Sequence, residues 1–92
     1  MRIVWSERKR AQNLREHGLD FEHALALFLE PHFVWADIRE DYGEERWNAI
    51  GQIKGRTVVA SFTYRRRETI RLISLRKATP TERRLLETGI ED

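Results

Sequence analysis

The sequence predicts an α+β fold: two helices near the start, then hairpin-linked strands forming an antiparallel sheet, then one closing helix, in the order βααβββ(β)α. Three observations carry this. The apolar period changes from 3.6 to 2 at Pro31, Lys54-Gly55 reads as a tight turn between two period-2 runs, and Thr79-Pro80-Thr81-Glu82 reads as a helix start. Helices followed by a run of strands indicate α+β packing rather than a wound parallel sheet. With 92 residues, 40% of them hydrophobic and nine of them aromatic, the chain has material for one small core, so a single domain over 1–92 is expected.

In chain order, residues 2–6 mix β-branched and aromatic side chains and predict a short strand. Ser6 caps a helix over 7–17, with Glu7 in its first turn and Gly18 as its left-handed stop. Asp20 caps a second helix over 21–30, in which Phe21, Ala24, Leu25 and Phe28 form a core stripe before Pro31 ends it. Strands follow over 33–38, 46–54, 56–64 and 69–76, the last after the tip Arg65-Arg66-Arg67-Glu68. Strict alternation in 69–76 puts Arg71 and Arg76 on opposite faces unless a bulge intervenes. Thr79 as cap, Pro80 in the first turn and Glu82 reaching back predict a helix that stops at Gly89. Trp5, Phe21, Phe28 and Trp35 read as core.

Several function classes are excluded. Zero cysteines rule out a disulfide scaffold and a thiolate zinc site, and His17, His23 and His32 lack the four-residue spacing of a helical metal pair, so no structural metal is expected. Motifs for nucleotide hydrolysis, dinucleotide binding and serine or zinc hydrolysis are absent. No apolar stretch approaches the roughly 20 residues of a membrane span, and the N-terminus has no signal-peptide core, so a cytoplasmic protein is expected.

Charge is distributed unevenly. Residues 65–84 hold eight basic and two acidic side chains, whereas the other 72 residues sum to −4. Arginine outnumbers lysine 14 to 3, and the guanidinium fork binds phosphate bidentately, so a nucleic-acid partner gains weight, while a GC-rich coding bias with a solvated basic face accounts for the same composition equally well. Lys9, Asn13 and His17 lie at i, i+4, i+8 on one helical stripe, which an ordinary solvated face explains equally well. Glu44 and Glu45 precede Arg46 as loop charges beside a partner arginine. Arg71, set between Ile70 and Leu72, must cover a face, pair with a carboxylate or serve a ligand, and Arg76 ends the same strand.

The residues Trp5, Lys9, Asn13, His17-Gly18, Phe21, Ala24, Phe28, Pro31, Gly43-Glu44-Glu45-Arg46-Trp47, Ile50-Gly51, Ile70-Arg71-Leu72-Ile73-Ser74-Leu75-Arg76, Ala78-Thr79 and Glu82-Arg83 together resemble the BrnT family of bacterial type II toxins. The resemblance spans residues 3 to about 85. It departs at Ser6, where the family commonly has Asp, at Leu75 for Ala, and at Arg67 for a Gly near the hairpin tip. It implies a RelE-like fold, ribonuclease activity, a BrnA-like antitoxin partner in a hetero-oligomer, and operator DNA reached only through that antitoxin.

Metal-independent RNA cleavage needs a base for the 2′-hydroxyl proton, a cation for the phosphorane and an acid for the leaving 5′-oxygen, and no cofactor. Arg71 and Arg76 are candidates for phosphate clamping, Lys9 for a further phosphate contact, and His17 or Glu45 for proton transfer. Arg65, Arg66, Arg67 and Lys77 are candidates for RNA binding, with Tyr64 as a stacking or acid group. The competing reading is a non-catalytic nucleic-acid-binding or corepressor module, with the arginine-tipped hairpin in a groove.

Overall fold

The computed structural model describes residues 1–91, with side chains through residue 89. Its strands are β1 (Arg2–Val4), β2 (Phe33–Ala36), β3 (Trp47–Ile53), β4 (Arg56–Arg65) and β5 (Thr69–Lys77). Its helices are α1 (Glu7–His17), α2 (Ala24–Leu29) and α3 (Pro80–Glu91). The strands form one sheet in the order β1-β5-β4-β3-β2. The α+β class and the element order stand, but the sheet is mixed: β2 to β5 are antiparallel, while β1 pairs parallel to β5 through Arg2–Thr69, Ile3–Ile70 and Val4–Arg71. The chain between β1 and β5 supplies the long crossover that a parallel pair requires.

The caps form as the sequence predicts. The Ser6 side chain accepts from the Lys9 amide, and Gly18 ends α1 at φ 69°. Thr79 and Glu82 exchange hydrogen bonds at 2.9 and 3.2 Å in a capping box. Lys54 and Gly55 both take positive φ at the β3–β4 turn, the geometry that matches strand twist. At the β4–β5 tip Arg67 and Glu68 occupy left-handed backbone at φ 54° and 58° without being glycine.

Three local expectations fail for physical reasons. The second helix opens as a 3₁₀ turn over Phe21–His23 before α2, and that tighter winding rotates the buried stripe. Phe21, Ala24, Leu27 and Phe28 are buried, and Leu25 faces out. Gly89 does not stop α3 but lies within it, where a Cβ would run into the Phe33 ring. Trp35 is not core: it lies 38% exposed on the sheet, whereas Trp5 packs edge-on to Phe21 at 6.2 Å.

One core cluster, including Phe21, Leu27, Phe62, Leu72 and Leu75, lies between the sheet and the first two helices. A smaller one, Ile50, Val59 and Leu86 with Phe33 and Ala78, lies on the opposite face under α3. Because β1 spans only three residues, β5 beyond Arg71 has an open edge. Asn13 closes it. Its side-chain oxygen accepts from the Leu75 amide at 3.1 Å, and its nitrogen donates to the Leu19 carbonyl at 3.0 Å. Asn13 is 4% exposed, so it pins α1 to the sheet and is not part of a solvent-facing triad with Lys9 and His17.

Substituting Asn13→Ala leaves a buried donor and a buried acceptor without partners. The expected loss is about 2 kcal/mol in urea unfolding, with faster hydrogen exchange at the Leu75 amide.

Candidate nucleic-acid interface

The face of the sheet opposite α1 and α2 is organised in rows, because residues paired across strands point the same way. Phe33, Ile50, Val59 and Arg76 form the row beneath α3. The next row is Trp35, Asn48, Ser61 and Ser74, where the Ser61 hydroxyl donates to the Asn48 side-chain oxygen at 2.7 Å. Beyond it come Thr63 and Arg71, directly paired, with Arg46 one step past the Trp47–Phe62 pair.

Arg71 and Arg76 share this face. The β4–β5 register shifts between Ser61 and Phe62, which pair with Ser74 and Leu72 and leave Ile73 unpartnered. That bulge resets the alternation, so Leu75 stays in the core and Arg76 comes round to the side of Arg71. Along β4 their partners Val59 and Thr63 are four residues apart, about 13 Å at strand rise.

Each arginine on the face is held by a carboxylate. The Arg71 guanidinium donates to Glu44 at 3.0 and 3.3 Å, and Arg46 Nε lies 3.6 Å from the same carboxylate. The Arg46 guanidinium also sits 3.9 Å over the Tyr42 ring, a cation–π contact. Arg76 binds Glu82 through two bonds of 2.8 and 2.9 Å, and Arg39 binds Asp37 through two of 2.9 and 2.8 Å. The hydrogen bonds from Arg39 hold Asp37 at a pKa of about 2, and those from Arg76 hold Glu82 at about 2. Hydrogen bonding to Glu82 in turn raises the Arg76 pKa.

Not all the remaining candidates share this face: Tyr64 and Lys77, paired with Ile70 and Val58, point to the side of α1 and α2. Lys9 and His17 line a shallow concavity of about 140 Å³ with Asn13, Ile73 and Ser74, beside the open edge of β5. Ser74 therefore borders both that concavity and the arginine face, although neither Arg71 nor Arg76 lines the concavity with Lys9 and His17. Glu45, Tyr64 and Arg65 line a second concavity of about 150 Å³ with Glu44, Trp47 and Thr63. Tyr64 is 57% exposed and edge-on to both Trp47 and Phe62. Arg65, Arg66 and Arg67 stand exposed at the β4–β5 tip. Lys77, at the other end of β5, lines a basic recess with Arg56 and Arg83.

Sequence reasoning underrated Arg46, Arg39 and Trp35. Arg46 and Trp35 had a signal in the alternation, since each lies two residues from a neighbour on this face, Asn48 and Phe33 respectively. Arg39 lies past the end of β2 and has no such pattern.

The family model described as the ribonuclease toxin BrnT of a type II toxin-antitoxin system matches residues 5–82. The chain belongs to the BrnT family. The crystal structure of the Brucella abortus ribonuclease toxin BrnT, at 1.1 Å resolution, is similar at 32% identity and a TM-score of 0.71, covering 86% of this chain and 97% of that one. No curated protein matches. The stretch shared with the BrnT family contains every site candidate named from the sequence and ends at Glu82, in the first turn of α3.

Asp37 and Glu82, together with Asp20 held at about 2 by Arg10, have folded pKa values below their unfolded ones near 4. Their contribution is therefore present above about pH 4 and lost as pH falls toward 2. Urea midpoints should stay level from pH 7 to 5 and drop steeply below 4, and Asp37→Asn should shallow that acid limb.

Proposed function

We propose that this chain is the toxin of a type II toxin-antitoxin pair, an endoribonuclease acting in the cytoplasm that binds RNA on the arginine face of its sheet. The observation that carries the reading is the placement of Arg71 and Arg76 on one face, either side of the polar row Asn48, Ser61 and Ser74. Strand positions about 13 Å apart suit non-adjacent phosphates of an extended backbone. Exposed Trp35, at the β2 end of the polar row, offers a ring on which a base can stack.

In this reading the RNA 2′-oxygen loses its proton to a base and attacks the adjacent phosphorus. The developing phosphorane charge meets one of the two arginines while the other holds a phosphate further along the strand, and an acid protonates the departing 5′-oxygen. The products end in a 2′,3′-cyclic phosphate and a 5′-hydroxyl, and no metal takes part. His17 shares a concavity with Ser74 and Glu45 one with Thr63, so proton transfer by either requires the RNA to run from the arginine face into that concavity. Arg65, Arg66 and Arg67 lengthen the basic track at the β4–β5 tip, and Lys77, paired with Val58 and so on the other side of the sheet, meets RNA that wraps the far end of β5. A BrnA-like antitoxin neutralises the activity as the partner in a hetero-oligomer, and operator DNA is contacted through that partner alone.

The purified chain, freed of antitoxin and assayed in EDTA, should cleave single-stranded RNA to cyclic-phosphate ends. Arg71→Ala should lower kcat/KM by about 10²- to 10³-fold with its thermal transition intact. Arg76→Ala should do likewise but also lower Tm, because it strips Glu82 of its partner. Of His17→Ala and Glu45→Gln, the one that removes a limb of the bell-shaped pH–rate profile identifies the proton-transfer residue. RNA retained but left intact by the parent chain would mean a binding module and not an enzyme.

A further inference from the structure

Among the described residues, three buried side-chain polar atoms have no hydrogen-bond partner: Arg46 Nε, Thr63 Oγ1 and Arg71 Nε. They are not scattered. Thr63 pairs directly with Arg71 across β4 and β5, and Arg46 stands next to Thr63 one step beyond the Trp47–Phe62 pair. The three therefore lie in one row on one face. Buried donors left unmatched are uncommon in folded proteins and cost free energy wherever they occur, so a row of them calls for a ligand.

What lies over the row is the Glu44 carboxylate. Its Oε2 is 3.0 Å from Arg71 Nη2 but 3.6 Å from Arg46 Nε, within ion-pair range of the latter and outside hydrogen-bond range. A planar carboxylate has two oxygens, and here they satisfy one guanidinium nitrogen and no more. A tetrahedral oxyanion has more oxygens spread in three dimensions, enough to accept from both Nε atoms and from the Thr63 hydroxyl. Glu44 belongs to the loop that follows Gly43, which takes positive φ, and not to a strand, so it can leave without disturbing the sheet.

We infer that Arg46, Thr63 and Arg71 form a seat for a tetrahedral phosphate group, and that Glu44 fills it as an exchangeable stand-in until the ligand arrives. Arg46 and Thr63 are thereby phosphate-binding residues, and Glu44 sets the threshold for occupancy. The inference rests on the proposed reading in one respect, that the phosphate concerned is a phosphodiester of RNA.

Inorganic phosphate is a sufficient probe, titrated calorimetrically into the purified chain and its variants at constant ionic strength. Glu44→Gln keeps the shape of the side chain and removes its charge. It should bind phosphate about tenfold more tightly than the parent. Adding the isosteric Thr63→Val to Glu44→Gln should reverse most of that gain, and adding Arg46→Met should abolish it, with far-UV spectra and melting profiles unchanged in Thr63→Val. Equal affinity in parent and Glu44→Gln overturns the proposal, as does a Glu44→Gln affinity indifferent to Thr63→Val. Because occupancy and not strand scission is measured, phosphate binding as described in a chain that leaves RNA intact upholds the seat while removing the ribonuclease reading. RNA cleavage with phosphate affinity indifferent to Glu44 does the reverse.

Discussion

A strand that must bury Ile70, Leu72 and Leu75 on one side while presenting Arg71 and Arg76 together on the other can do so only if its two-residue period is broken once. The unpartnered Ile73 is where it breaks. Without the bulge, burying Leu72 would turn Leu75 outward and send Arg76 toward the core, where a guanidinium without a partner is strongly disfavoured. The same bulge leaves Ile73 and Ser74 along the open edge that α1 covers, so Lys9 and His17 come to lie against the residues that separate the two arginines. One inserted residue thus decides both the core and the composition of the face.

The arginines on that face are supported and not merely displayed. Arg76 is tied to Glu82 and Arg39 to Asp37 through two bonds each, which fixes the plane of each guanidinium and reduces the entropy lost when a further anion binds. The lowered carboxyl pKa values of Asp37 and Glu82 express the same bonds from the other partner. Arg71 and Arg46 differ. They share one loop carboxylate and keep unmatched Nε groups, so their charge is the least compensated on the face.

Local signals were legible in the sequence and distant ones were not. Ser6, Gly18, Thr79 and Glu82 act within three or four residues of themselves, so the ends they set at α1 and the start of α3 could be read directly. Lys54-Gly55 likewise specifies its turn from backbone sterics alone. The parallel pairing of β1 with β5, by contrast, joins residues more than sixty positions apart, and no periodicity within either strand encodes a partner. Asn13 looked like part of a polar stripe because the Leu75 amide that donates to it and the gap that makes it necessary both depend on that pairing. Gly89 resembled a helix stop because the sequence does not show the Phe33 ring that occupies the space of its missing side chain. For the site, residue types were legible, while their grouping waited on the bulge.

The end of the arginine face is set by α3. Leu86 packs on Ile50 and Val59, which takes one row of the sheet out of contact with solvent and leaves Arg76 at the boundary. Glu82 serves that boundary twice, since its carboxylate caps the Thr79 amide at 2.9 Å and receives the Arg76 guanidinium at 2.8 Å. The register of the closing helix and the position of the arginine are therefore coupled through one side chain. A displacement of α3 would move the Glu82 carboxylate away from Arg76 and loosen the arginine that borders the polar row. Conversely, an anion that drew Arg76 away would weaken the first turn of α3 by removing a partner of its capping residue. Binding on the sheet and docking of the C-terminal helix are in this way linked through Glu82, although Arg76 is the one charged member of the row that α3 covers.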